Sequence, residues 1–432
     1  MIQRPNTLDG CFLTHERRQP GFRPYVGMVL HASGSAPQVE RVREQIAGRI
    51  ERMPALAWRI TKRGRRTVWA CDPSFDPHDH VHEIRTPEGP TSLDETVDAL
   101  LSAPLPEQSP RWGVWLIHGY CDREYALFYR AHHAAQDGQA ALDALTALFG
   151  TESPAPVGLA AGRAQGRSWW RRIPARAITR TLNDTVKDLR PTMRWSPQRA
   201  LTGRPRLQSA VVPSSWLRET GRALGAGGND VCLAALAQAL RSWVPESWIE
   251  DDQRGRELHV SLPVGLREPE ERFMVGNRVS AVRIPLSFWE DSPAARVAAI
   301  ARATGPAKTD GMRQVLRAQL RLPEWLVYRF VRHSAQARNG LEASGLMRLT
   351  GRLAMGTDPV ETVVATQFLY GEHLFGVAFL SYGDKVVASV TVDRALDDRG
   401  NLAALWADAV ERLWHETVVS TEEPIRTSAP QP

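Results

Sequence analysis

The stretch from residue 124 to residue 150 limits the possible folds more than any other part of this chain. Residues 124–131 read as a strand that runs into paired histidines, His132 and His133, and a helix begins near Asp137. Asp137 stands where an N-cap belongs, Leu142, Leu145 and Leu148 form the buried stripe, and Gly150 supplies the stop. A strand end before a tight turn is a place where side chains project into a cleft.

The rest of the chain alternates helical and strand patterns. Val39, Val42, Ile46, Ile50 and Met53 form one apolar helical stripe over residues 36–53, and Ser35 with Gln38 has the spacing of a capping box. Strands are expected at 67–70, 113–117 and 126–129, then at 207–212, 258–262, 279–285, 373–381 and 385–393. Asn229 is placed to cap a helix whose Leu233, Leu236, Leu240 and Trp243 share an apolar face. With 432 residues the chain exceeds what one core supports. The expected division is a first lobe at 1–155, a crossover linker at 156–205, a second lobe at 206–424 and a disordered tail at 425–432. The linker carries Trp169, Trp170, Arg171 and Arg172 and a basic helical pattern near 174–189. It reads either as a solvated connector or as a face for contact with lipid.

Composition excludes several classes. Hydrophobic residues make up 43% and charged residues 24%, which rules out a disordered or collagen-like chain. Cys11, Cys71, Cys121 and Cys232 are scattered without a C-x-x-C pair, against a disulfide framework or zinc ribbon. No apolar run approaches a membrane span, and the N-terminal residues lack the apolar stretch of a secretory signal, so a cytoplasmic location is expected. The net charge of +6 is spread along the chain without a nucleic-acid-binding motif, so no nucleic-acid partner is expected.

The His-His-turn-Asp-Gly unit suits general-base catalysis, because a neutral imidazole can take a proton from an attacking hydroxyl or amine. A packed, satisfied histidine pair is the structural alternative. Gly138 permits close backbone approach. His78, His80 and His82 would put three imidazoles on one face if they lay on a strand.

The string HHAAQDG at 132–138 resembles the H-H-x-x-x-D-G signature of the condensation-type acyltransferase superfamily. The fuller likeness is to the bacterial wax ester synthase/diacylglycerol acyltransferase family. Leu8-Asp9 with Phe12-Leu13, the VWACDPSFDPHDHVHEI stretch, PLPEQSPRWGVWLIHG, Asn229-Asp230-Val231, LPVGLREPEERFMVGNRVSAVRIPL and LSYGDKVVASVTVD all resemble family motifs in order. Three features depart from it: the N-V-P-G-P segment is missing from EASGLMRLTGRLAMGTDPVETVV, Arg111 stands where leucine is usual, and Gly265 replaces a serine.

The resemblance implies an α/β (α+β) fold of two chloramphenicol-acetyltransferase-like lobes forming a V with a tunnel between them. It implies acyl transfer from acyl-CoA to a hydroxyl acceptor in a ternary complex, with no permanently bound cofactor and no metal. By resemblance His133 is the general base, His132 is structural, Asp137 fixes the loop, and Gly138 gives backbone room and a donor to the thioester oxygen. Arg267 is the expected partner of Asp137, with a solvated loop arginine as the alternative. Arg267, Asn277 and Trp112 form the expected substrate-binding set, although capping and turn duties explain Asn229, Asp230 and Asn277 equally well. Two rivals remain: a specialised-metabolite O- or N-acyltransferase drawing on acyl-CoA or an acyl-carrier protein, and a binding module without turnover. Peripheral contact with a membrane or lipid surface is a further expectation.

Overall fold

A computed structural model describes residues 2–19, 21–64, 66–89, 91–106, 110–152, 192–197, 200–329, 341–369 and 373–420. The expected basic helix at 174–189, the Trp-Trp-Arg-Arg face and the tail at 425–432 lie outside the described residues.

The strands are β1 (Ile2–Gln3), β2 (Tyr25–Ser33), β3 (Trp58–Arg63), β4 (Arg66–Cys71), β5 (Val81–Arg85), β6 (Trp112–His118) and β7 (Glu124–His132). There follow β8 (Pro205–Pro213), β9 (His259–Gly265), β10 (Val279–Pro285), β11 (Glu342–Leu349), β12 (Ala354–Met355), β13 (Asp358–Thr366), β14 (Phe375–Tyr382) and β15 (Lys385–Asp393). The helices are α1 (Thr7–Arg18), α2 (Val39–Ala47), α3 (Ser92–Ser102), α4 (Gly138–Phe149) and α5 (Ser214–Ala223). The later helices are α6 (Gly228–Trp243), α7 (Pro293–Thr304), α8 (Asp310–Gln319) and α9 (Leu402–Trp414).

Two six-stranded sheets organise the molecule, in the orders β12-β13-β2-β7-β6-β5 and β10-β9-β11-β14-β15-β8, with a small sheet β1-β4-β3 beside the first. Each sheet has its own core. Leu30, Leu127, Tyr129, Leu142 and Leu145 pack between the first sheet and α4. Leu233, Leu236, Leu240, Trp243, Phe379 and Trp406 pack between the second sheet, α6 and α9. β7 is apolar on both faces because it is flanked by β2 and β6 and covered by helices. Its register with β2 runs unbroken from Tyr25↔His132 to Ser33↔Glu124, which fixes where the histidines emerge.

The expected lobe of residues 206–424 does not keep all its strands. β13 leaves it and pairs antiparallel with β2, from Val360↔Ala32 to Thr366↔Gly27. Val363 and Ala365 thereby enter the first core, a long-range pairing that local sequence patterns cannot register.

Two helix starts differ from expectation. The helix expected at 36–53 begins at Val39, with Gln38 as an N-cap that makes no side-chain bond, and Ile50 falls in a separate 3-10 turn. Pro37 keeps Ala36 out of the helical region, so Ser35 cannot open the helix. Asn229 is not the cap of α6; Gly227 is. The Asn229 side chain instead accepts the N–H of Leu346 at 2.9 Å, across from α6 to β11. β11 has an irregular register against β14 between Ala343 and Leu346, so Asn229 supplies a partner where the strand ladder is broken.

Candidate active site

The turn after β7 is zipped to the segment before β10. Gly276 N–H donates to the Ala135 carbonyl at 2.7 Å, and Gln136 forms an isolated parallel bridge with Gly276. Gly276 has φ +92, and a Cβ there would sit 2.7 Å from Asp9 Oδ2, so the approach demands glycine.

Asn277 then organises His133. Its Nδ2 donates to Asp9 Oδ1 at 2.9 Å, to the His133 carbonyl at 2.6 Å and to the Ala134 carbonyl at 3.3 Å. Three acceptors around Nδ2 leave Oδ1 as the atom that faces His133 Nδ1, at 2.8 Å. An amide oxygen only accepts, so Nδ1 carries the proton and the lone pair is on Nε2. No hydrogen bond to Nε2 exists among the described residues. The ring is held flat by Phe12, stacked at 4.4 Å, and edge-on by Phe368 at 5.4 Å. Burial holds the His133 pKa below the ordinary histidine value, although Asp137 and the Asn277 bond pull the other way, so the ring is neutral at pH 7.

Asp9 anchors this relay from α1. Besides the Asn277 side chain it accepts the backbone N–H of Asn277 at 2.8 Å and that of Asn6 at 2.9 Å. Burial pushes its carboxyl up against these donors.

His132 is turned the other way and is 1% exposed. Its Nδ1 accepts the Ala134 N–H at 2.9 Å, so Nε2 carries the proton and donates to Glu16 Oε2 at 3.1 Å. Burial lowers its pKa to about 4, despite Glu16, and the ring is neutral. Glu16 is gripped by Arg111 through two bonds of 2.7 Å. Burial alone would raise the Glu16 carboxyl, but Arg111 and His132 hold it well below the carboxylate range. Arg111, the residue that stands in place of leucine, thus has a dedicated partner on α1.

Asp137 caps α4 by accepting the Ala140 N–H through Oδ1 at 2.8 Å. Its Oδ2 meets Arg267 Nη2 at 2.9 Å and the Arg278 N–H at 2.7 Å. The Arg267–Asp137 pair is buried, at 6% and 5% exposure. Arg267 also donates to the carbonyls of Glu271, Met274 and Gly276, at 2.8, 3.0 and 2.8 Å. Burial would raise the Asp137 carboxyl; Arg267 and the two N–H donors hold it below its usual value. The solvated-arginine alternative for Arg267 does not describe this geometry.

Other expected residues land elsewhere. Gly138 is the first residue of α4, and a Cβ on it would meet Met347 Sδ of β11 at 3.1 Å. Trp112 is a correction: it is 3% exposed in the first core, donates from Nε1 to the Leu56 carbonyl at 2.7 Å and stacks on His80 at 4.4 Å. A buried indole with its N–H satisfied lines no substrate path. His78, His80 and His82 do not share a strand face, because Pro77–His80 is a 3-10 turn that buries His80 alone. Among the described residues no cluster of His, Cys, Asp or Glu could hold a metal ion. Asn277, expected in the substrate-binding set or on turn duty, touches His133 and Asp9. The contacts of Asp9 with Asn277 and of Glu16 with Arg111 and His132 carried no local signal, because each pair lies more than ninety residues apart.

Two helix-covered sheets joined through this turn give a mixed helix and sheet fold that matches two-lobed solved structures. The wax ester synthase/diacylglycerol acyltransferase from Marinobacter aquaeolei superposes with a TM-score of 0.67 at 21% identity, covering 98% of this chain and 100% of that one. The first condensation domain of the calcium-dependent antibiotic synthetase follows at TM-score 0.65 and 15% identity, covering 96% of each chain. The sequence profile of the wax ester synthase/diacylglycerol acyltransferase catalytic domain matches residues 6–221, and that of the family's C-terminal domain matches residues 275–413. This chain belongs to the wax ester synthase/diacylglycerol acyltransferase family. A probable diacylglycerol O-acyltransferase of Mycobacterium tuberculosis is 25% identical over 449 aligned positions, 94% of this chain and 95% of the relative.

Proposed function

We propose that the chain moves an acyl group from acyl-CoA directly to the hydroxyl of an alcohol or a diacylglycerol, in a ternary complex with His133 as general base. The observation that supports this most is the Asn277 Oδ1···His133 Nδ1 bond, which leaves Nε2 as the basic atom. The acceptor proton passes to Nε2 while the acceptor oxygen attacks the thioester carbonyl carbon. The carbonyl electrons move onto oxygen, and in this scheme Gly138, whose N–H opens α4 and has no partner within that helix, donates to that oxyanion. Collapse re-forms the carbonyl and breaks the C–S bond, and the thiolate leaves with the proton held on Nε2. Asp137 and Arg267 keep the turn in place, and His132, tied to Glu16, takes no proton in this scheme.

The test is thiol release from a series of acyl-CoAs with and without hexadecanol or a diacylglycerol. General-base catalysis contributes about 10²–10⁴-fold, so His133→Ala is expected to lose that much of the acceptor-dependent rate while its fold is kept. A folded wild type that turns over no lipid acceptor would overturn the lipid assignment and direct the search to carrier-bound donors and specialised-metabolite acceptors.

A further inference from the structure

Arg130 lies on β7 two residues before His132 and is 1% exposed. Its Nη2 donates to the Ala103 carbonyl beyond the end of α3 at 2.7 Å. Its guanidinium carbon lies 5.1 Å from the Tyr25 ring centroid and 5.2 Å from that of Trp115. Nε and Nη1 meet no acceptor, and no carboxylate pairs with it among the described residues. Burial lowers its pKa to about 10, which still leaves it cationic at neutral pH. One carbonyl and three aromatic rings, Phe128 at 5.8 Å being the third, satisfy only part of a five-donor cation, and a buried charge without a counter-charge is costly.

Arg130 lines a cavity of about 250 Å³ together with Arg23, Arg204, Thr366, Gln367 and Phe368. Among the described residues no Asp or Glu lines it. On two of the other lining residues, Arg23 Nε and Thr366 Oγ1 are also buried without a hydrogen-bond partner. Groups of this kind are rarely left unmet in native proteins, and here they belong to three residues of one cavity wall. Phe368 separates that space from the catalytic turn, since its ring stands edge-on to His133.

We infer that this cavity binds a phosphate-class anion, and, resting on the acyl-CoA reading above, that the phosphate is one carried by the thioester donor. Guanidinium groups match phosphate oxygens in pairs, and Thr366 Oγ1 adds a neutral donor. The site anchors the donor at a distance from the reacting carbonyl, behind the aromatic ring that also holds the base.

The proposal is tested by calorimetric titration of the full chain with pyrophosphate, with CoA and with pantetheine, in wild type, Arg130→Met, Arg23→Ala and Arg204→Ala. Each variant is expected to weaken pyrophosphate and CoA about 10- to 100-fold and to leave pantetheine, which carries no phosphate, unchanged. If Arg130→Met fails to fold, the two alanine variants, at a half-buried and an exposed position, carry the comparison. Weakened pyrophosphate with unchanged CoA would keep the anion site and overturn the donor as its source. Equal affinities in all variants, or no binding by wild type, would overturn the site. The readout needs no turnover, so a failure of acyl transfer is distinguishable from a failure of this proposal.

Discussion

Replacing Asn277 by leucine removes the one contact that fixes the proton on His133 Nδ1. In the proposed reaction His133 becomes an imidazolium, and the Oδ1···H–Nδ1 bond becomes charge-assisted. A hydrogen bond to a charged group contributes about 1.5–3 kcal/mol, which corresponds to about 10- to 150-fold in rate. The same bond raises the His133 pKa, so its loss moves that pKa lower still, and the acid limb of the kcat/KM profile is expected to shift to lower pH. The variant also strips a donor from Asp9 Oδ1 and from two backbone carbonyls, at a stability cost of about 1–3 kcal/mol. Thiol release would therefore be measured from pH 5 to 9, with urea unfolding run in parallel. A folded Asn277→Leu enzyme whose kcat stays within about threefold of wild type, with an unmoved acid limb, would refute the tautomer argument.

Arg267→Met leaves the Asp137 carboxylate buried without its cation and is expected to cost about 3–5 kcal/mol in urea unfolding at pH 7. Because the folded pKa of Asp137 is depressed, its stabilisation is present above the unfolded value of about 4 and is lost as pH falls through the folded pKa. The wild-type advantage over the variant should shrink below pH 4; a gap that persists undiminished at lower pH would contradict the pairing. Gly276→Ala forces a Cβ toward Asp9 Oδ2 at a positive φ and should destabilise by about 1–3 kcal/mol while lowering kcat, because Asp9 and Asn277 move together. Native-like stability and rate in that variant would show that the close approach is not required.

Local signals make the histidine-bearing turn readable as a strand–turn–helix unit. The strand, the Asp137 cap and the leucine stripe of α4 lie within twenty-six residues and need no distant partner to be recognised. The Arg267 contact rests on the family resemblance of its PVGLR segment, beside which a solvated loop arginine stands as the equal alternative; the structure has the buried pair. The contacts of Asn277 are not legible locally. A Gly-Asn dipeptide before a strand is an ordinary turn, and only the spatial meeting of α1, the turn after β7 and the segment before β10 gives it Asp9 on one side and His133 on the other. Trp112 was misread because a motif tryptophan carries no sign of which sheet face it occupies; it faces the core beside His80. Asn229 belongs to the same class, as its partner is a backbone N–H more than a hundred residues later.

The strand that crosses between lobes has a consequence for synthesis. β2 has β7 on one side from early in translation, but its other side waits for residues 358–366, whose Thr366 pairs with Gly27. Until more than three hundred further residues have left the ribosome, a long apolar strand keeps an unpaired row of N–H and C=O groups, the surface on which chains stick to one another. A truncated first half would carry that open edge permanently, so the two halves of this protein are not parts that can be exchanged or expressed apart.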